Sequence, residues 1–229
     1  MKRIILRRLP ALIGFAGAVL LIWLAVPRTF SSILLAVSKP AYAQITNPAM
    51  TDEDILKLRE TLRRVASWVD EREVETRIGN VELVLAARSA DESEKENHLS
   101  AAENAFENAI AYSPMDPFSW VRLCQIRLKT NGQQDGTAAQ ALSMSLMTGP
   151  YERALAIQQI GFAAILWDQL SEDDQRTVAE KVRWIETLER RDLAALAKRD
   201  PRAATLVIRS LAGGDMHRFT RFVAFLNKK

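Results

Sequence analysis

AENAFENAIAYSPMDPFSWVRL, residues 102–123, places small and aromatic side chains at helical spacing on both sides of a proline turn. Ala102, Phe106 and Ala109 recur at intervals of four and three, which puts them on one face of a helix. The alanines let a neighbouring helix approach closely, and Phe106 fills the hole between the pair. Pro114 ends that helix, because proline has no N–H and its ring clashes with the preceding turn. Asp116 and Pro117 start the next one as N-cap and first helical residue. Trp120 and Leu123 follow on its inner face. The stretch is a helix–turn–helix whose seam is lined with small residues.

The same positions resemble the tetratricopeptide repeat (TPR), a helix–turn–helix unit of 34 residues. Its pattern closes on A-x3-F…P and opens the following unit on W-x2-L-G-x2-Y. Cys124 stands where the pattern has Gly, and Arg127 where it has Tyr. Aligning Pro150 with Pro114 places Ala138, Leu142 and Ser145 at the equivalent positions of a second unit. That unit carries a two-residue insertion, assigned to QQDG at 133–136. At least three units are normally needed to bury a continuous core, so the flanking helices must supply the remainder. The resemblance implies an all-α fold, a TPR-like α–α superhelix of helical hairpins.

Composition agrees with a helical, globular chain. Of 229 residues 48% are hydrophobic and 26% charged, and only 9 Gly and 8 Pro are available to interrupt helices. The net charge is +3, yet Lys2, Arg3, Arg7 and Arg8 supply four positive charges with no acid among the first ten residues. The rest of the chain is nearly neutral, which argues against a nucleic-acid-binding domain. A single cysteine, Cys124, excludes an internal disulfide.

Residues 9–26, LPALIGFAGAVLLIWLAV, are apolar and uncharged. Eighteen residues rise about 27 Å as a helix, close to the hydrocarbon thickness of a bilayer. Arg7 and Arg8 favour a cytoplasmic N-terminus, and Trp23 lies near the far end. The rest of the chain is expected outside the cytoplasm, in a bacterial cell the periplasm, held by a single-pass inner-membrane anchor. A cleavable signal is the alternative: Ala41, Tyr42 and Ala43 before Gln44 have the A-x-A form of a signal peptidase site, but 17 residues beyond Val26. Both readings export the domain. Residues 28–50, punctuated by Pro40 and Pro48, are expected to be a linker with a short interfacial helix at 31–37.

The expected organisation is a basic tail at 1–8, a transmembrane anchor at 9–27, the linker at 28–50, a TPR-like domain at 51–212 and a capping helix at 213–229. Thr51 with Asp54 and Ser171 with Asp174 form capping boxes. Ile55, Leu58, Leu62 and Val65 predict an amphipathic helix to about residue 69; Val74, Ile78, Val81 and Leu85 predict another. Residues 91–97 are polar and read as a loop holding the approach to His98. Helices are expected over 99–112, from Trp120 to Asn131, and over 137–148 and 151–170. A further helix carries Val178, Val182, Ile185 and Leu188. Asp200 and Pro201 begin a short helix to Leu211, Gly213 and Gly214 break it, and residues 215–226 form the last. The basic, aromatic C-terminus, MHRFTRFVAFLNKK, suits a cap that seals the final repeat, with membrane or groove binding as the alternative.

No pattern of catalytic chemistry emerges. His98 and His217 have no metal-ligating partner at i+4, Cys124 reads as a small buried hydrophobe, and no phosphate- or dinucleotide-binding fingerprint occurs. Asp52, Glu53, Asp54 and Glu172, Asp173, Asp174 suit helix N-termini. The chain therefore reads as a non-enzyme without metal, small-molecule cofactor or nucleic-acid ligand. Under the repeat resemblance, Phe118, Val121, Arg122, Gln125 and Lys129 map to the concave groove, where Arg122 and Lys129 could hold an extended peptide. SMSLMTGPYERAL with ILWDQL, behind an anchor ending VPRTF, also resembles small membrane-anchored TPR-like proteins of bacterial exopolysaccharide synthesis and export. The implied role is an adaptor binding protein partners in an envelope complex. A periplasmic chaperone for exported proteins is the rival, and a helical envelope enzyme the rival from another class.

Overall fold

The computed structural model describes residues 2–69, 71–132 and 135–226; of residues 2–13 it describes the backbone alone. The described residues form eleven α-helices and one 3-10 turn, with no strand among them. The chain divides into two compact units, Met1–His98 and Leu99–Lys229.

The first unit begins with α1, Lys2–Tyr42, a single helix of 41 residues. Its segment Gly14–Tyr42 is long and apolar enough to cross a membrane and is almost wholly unburied. The linker expected at 28–50 is thereby corrected: residues 28–42 continue the helix through Pro27 and Pro40. Proline costs one backbone hydrogen bond. Just beyond Pro27, Thr29 Oγ1 donates to the Ala25 carbonyl at 2.9 Å and Ser32 Oγ to that of Arg28 at 2.8 Å, which places both hydroxyls against the helix backbone. Ser31, Leu35 and Ser38, spaced four and three apart, form the buried face of this extension.

A turn over 43–50 reverses the chain into α2, Asp52–Ala66, and α3, Arg72–Arg88, follows. Thr51 caps α2: the Asp54 amide donates to Thr51 Oγ1 at 3.2 Å, and the return contact runs between side chains, with the Thr51 hydroxyl donating to Asp54 Oδ2 at 2.7 Å. Ile55, Leu58, Leu62 and Val65 are buried, as their spacing predicts. Arginines of α3 tie α1 and its turn in place. Arg77, only 6% exposed, donates to the Leu35 carbonyl at 3.2 Å and Ser38 Oγ at 3.4 Å, pairs with Glu73, and lies 5.2 Å from the Tyr42 ring centre. Asn80 donates to the Tyr42 hydroxyl at 2.9 Å. Arg88 donates to the carbonyls of Met50 at 2.6 Å and Asn47 at 3.0 Å. At the opposite end, Phe30 of α1 stacks on Trp68 just beyond α2, with ring centres 5.0 Å apart. Helices α1 and α2 therefore run antiparallel.

Residues 91–97 are also corrected, from loop to helix: α4 spans Glu92–Tyr112. Asp91 Oδ1 accepts from the Glu94 amide at 2.9 Å and caps it, while Glu92 pairs with Lys95. The turn lacks apolar residues because it faces solvent. His98 lies on this helix, with Nδ1 2.7 Å from Glu82 Oε2; the fully buried Glu82 carboxylate also pairs with Arg63 at 2.8 Å and Arg59 at 3.8 Å.

In the second unit Ala102, Ala105, Phe106 and Ala109 of α4 are buried, and Phe106 completely so. Helices α5, Pro117–Thr130, and α6, Thr137–Thr148, form a close antiparallel hairpin; α7, Arg153–Leu166, and α8, Glu172–Leu188, form the next. Helix α6 also meets α7, and α5 meets α7, as expected of stacked hairpins. Ala138, Leu142 and Ser145 repeat the burial of Ala102, Phe106 and Ala109. Trp120 packs against the core and donates Nε1–H to the Pro114 carbonyl at 2.8 Å. Arg127, at the position where the repeat has Tyr, instead joins α5 to α4 through Glu103 at 2.9 Å and Glu107 at 2.8 Å. This helix–helix packing is consistent with a helical repeat. The insertion assigned to QQDG includes Gln133 and Gln134, which lie outside the described residues.

Helix α7 ends in a 3-10 turn at Trp167–Gln169. Ser171 caps α8 as expected, its hydroxyl accepting from the Asp174 amide at 3.1 Å. Leu188, expected inward, is exposed, because the chain breaks at Glu189 and starts α9, Arg190–Arg199. Helix α10, Pro201–Ala212, packs on α7, α8 and α9. Helix α11, Met216–Leu226, lies on α9 and α10 with Phe222 fully buried.

Candidate functional site

Helix α5 holds the five groove residues, and the structure separates them. Val121 is fully buried, so it packs in the core and cannot touch a partner. Phe118, Arg122, Gln125 and Lys129 recur at intervals of four, three and four and form the outer stripe. Phe118 is 40% exposed and Lys129 is exposed; Arg122 and Gln125 are half-buried. A polar bridge fixes the middle of the stripe. Arg122 donates to Gln125 Oε1 at 2.8 Å, and Gln158 Nε2 of α7 donates to the same oxygen at 3.3 Å. The bridge joins the first helices of two successive hairpins and holds a guanidinium near the surface.

A second feature was not legible from the repeat pattern. A cleft of about 440 Å3 opens where α7 and its 3-10 turn meet α10. Trp167, Asp168, Arg202, Thr205 and Arg209 line it over an apolar floor that includes Leu206. Arg202 and Arg209 stand seven residues apart, two turns along one helix face, and that spacing was the available signal.

Several other polar groups serve the fold. Burial pushes the Cys124 thiol up to about 12, only partly opposed by the nearby Arg127 charge, so it is a protonated core residue at neutral pH. Lys181 is buried and donates to the Gly149 carbonyl at 3.0 Å, closing the C-terminus of α6. Desolvation lowers it to about 8, with Glu152 acting in the opposite direction. Ser143 and Ser171 both donate to Asp174 Oδ2, at 2.6 and 2.7 Å, which ties α6 to the start of α8. Hydrogen bonds from the Thr137 amide and hydroxyl hold Asp135 below its usual range. The His217 amide donates to Asp215 Oδ1 at 2.9 Å. Among the described residues no three His, Cys, Asp or Glu side chains are grouped to hold a metal ion.

No family model, curated protein or solved structure matches the chain. The functional reading therefore rests on the residues themselves.

Proposed function

We propose that the chain is a membrane-anchored adaptor whose TPR-like hairpins bind protein partners in an envelope complex. The anchor is α1, with its N-terminus in the cytoplasm and the helical units on the other side, in a bacterial cell the periplasm. Polysaccharide synthesis or export is the setting that the sequence resemblance implies. The observation that supports binding is the outer stripe of α5. Phe118 offers an apolar contact, Arg122 and Lys129 offer charge, and the Gln125–Gln158 bridge holds the surface in shape before a partner arrives, which lowers the ordering cost of association.

The test is crosslinking in intact membranes followed by purification of the full chain, comparing it with an Arg122→Glu/Lys129→Glu variant. The expected result is a defined envelope complex that the double variant loses while its helical circular dichroism is retained. A scatter of unfolded exported clients, unaffected by the charge reversal, would replace the adaptor with the chaperone reading. A reporter fused after residue 50 should be active only outside the cytoplasm; activity inside would overturn the topology.

A further inference from the structure

The first unit carries an apolar pair that its own core does not cover. Phe30 and Trp68 stack on each other, yet they remain 44% and 47% exposed. Their height along α1 can be fixed from two directions. From the N-terminal side, nineteen uncharged residues separate Arg8 from Arg28. At 1.5 Å per residue they rise roughly 28 Å, the thickness of the hydrocarbon layer. Arg28 is the only charged residue between positions 9 and 38 and is exposed. It therefore falls at the far headgroup layer, and Phe30 lies about 3 Å beyond it. From the opposite side, α2 runs antiparallel along the α1 extension and carries Lys57, Glu60, Arg63 and Arg64. Such a helix cannot enter hydrocarbon, so the bilayer must end at or below the turn that holds Trp68. The two limits coincide at the Phe30–Trp68 pair.

We propose that this pair is a membrane-contact site, seated in the phospholipid headgroup layer of the bilayer that α1 crosses. The chemistry fits that layer. Helical side chains lean toward the helix N-terminus, so Phe30 tilts toward the lipid. An indole sits best at the boundary between apolar and wet surroundings. Arg28 adjoins the pair to meet lipid phosphate. The first unit thus rests on the membrane surface through two different elements, the anchor itself and the α2–α3 turn.

This inference rests on α1 being a membrane anchor, and the experiment keeps the two apart. The full chain is reconstituted into phosphatidylcholine vesicles whose acyl chains are brominated near the headgroup. Trp120, Trp167 and Trp184 are replaced by Phe, and either Trp23 or Trp68 is retained. Both tryptophans should lose emission relative to unbrominated vesicles, Trp23 more than Trp68. Loss at Trp23 with none at Trp68 overturns the contact site alone. Loss at neither removes the anchor and the contact site together. As a check independent of the three core replacements, Trp68→Phe in the otherwise unaltered chain should lower the lipid-quenched share of the total emission; an unchanged share also overturns the proposal.

Discussion

Removing residues 1–43 leaves the chain that signal peptidase would release, starting at Gln44, and it takes away every α1 group that Arg77 touches. Two hydrogen bonds to a charged donor are lost, each near the weak end of their range at these lengths, about 1.5 kcal/mol. The contact of the guanidinium with the Tyr42 ring adds about 1 kcal/mol. Loss of the buried Leu35 side chain adds about 2 kcal/mol. Together these come to about 6 kcal/mol, comparable to the whole stability of a small domain. The truncated chain should therefore keep α5 to α10 folded and lose ordered α2 and α3. Hydrogen exchange read by mass spectrometry resolves the two. Peptides from Asp52–Ala66 and Arg72–Arg88 should exchange nearly as fast as unfolded chain, whereas those from α5 to α10 should stay protected. Arg77→Ala in the full chain should loosen the same two helices by the arginine share, about 4 kcal/mol. Equal protection of α2 and α3 in the truncated and full chains would refute this reasoning. It would also return Ala43 to consideration as a processing site.

Phe106→Ala should cost about 3–5 kcal/mol by emptying a fully buried site, seen as a lower denaturant midpoint; a loss under 1 kcal/mol would contradict the seam. Lys181 titrates near pH 8 when folded and near 10.5 when unfolded, so the cost of burying its ammonium is in full force below pH 8 and lifts as pH rises toward 10.5. Stability should climb through that window by up to roughly 3 kcal/mol relative to Lys181→Met, and parallel pH profiles of the two would exclude it. Gly149→Ala would set a Cβ 2.7 Å from the Pro117 ring, a rigid neighbour, and should cost about 1–3 kcal/mol in thermal or denaturant unfolding.

Local chemistry made the helix starts readable. Thr51, Asp116, Ser171 and Asp200 each cap a helix through an amide two or three residues on, and such contacts lie within a few letters of sequence. The burial of Phe106 and Leu142 likewise followed from spacing. What stayed hidden depends on distant partners. Pro27 and Pro40 suggested a broken linker, but helix continuation depends on α2 and α3 covering one face of residues 31–38. Arg77 and Glu82 are buried because partners reach them from other helices: the Leu35 carbonyl and Ser38 hydroxyl of α1 meet Arg77, and Arg63 of α2 and His98 of α4 meet Glu82. Val121, mapped to the groove by the repeat resemblance, is fully buried, since such a resemblance assigns positions without showing which side chains the neighbouring helices cover. Arg202 and Arg209 drew no attention because their cleft exists only once α10 has returned to α7.

Under the membrane anchoring proposed above, the unbroken course of α1 from the apolar segment into the α2–α3 clasp makes it an angular gauge. Each residue of an α-helix advances about 1.5 Å and turns about 100°. Inserting one alanine between Val26 and Phe30 would lift the helices that follow by that small step and swing them more than a quarter turn about the membrane normal. Phe30 would face a new direction relative to the span below. A flexible leash would absorb such an insertion without effect; a continuous rod transmits it, so the number of residues in α1 sets which side of the unit any neighbour in the same membrane encounters.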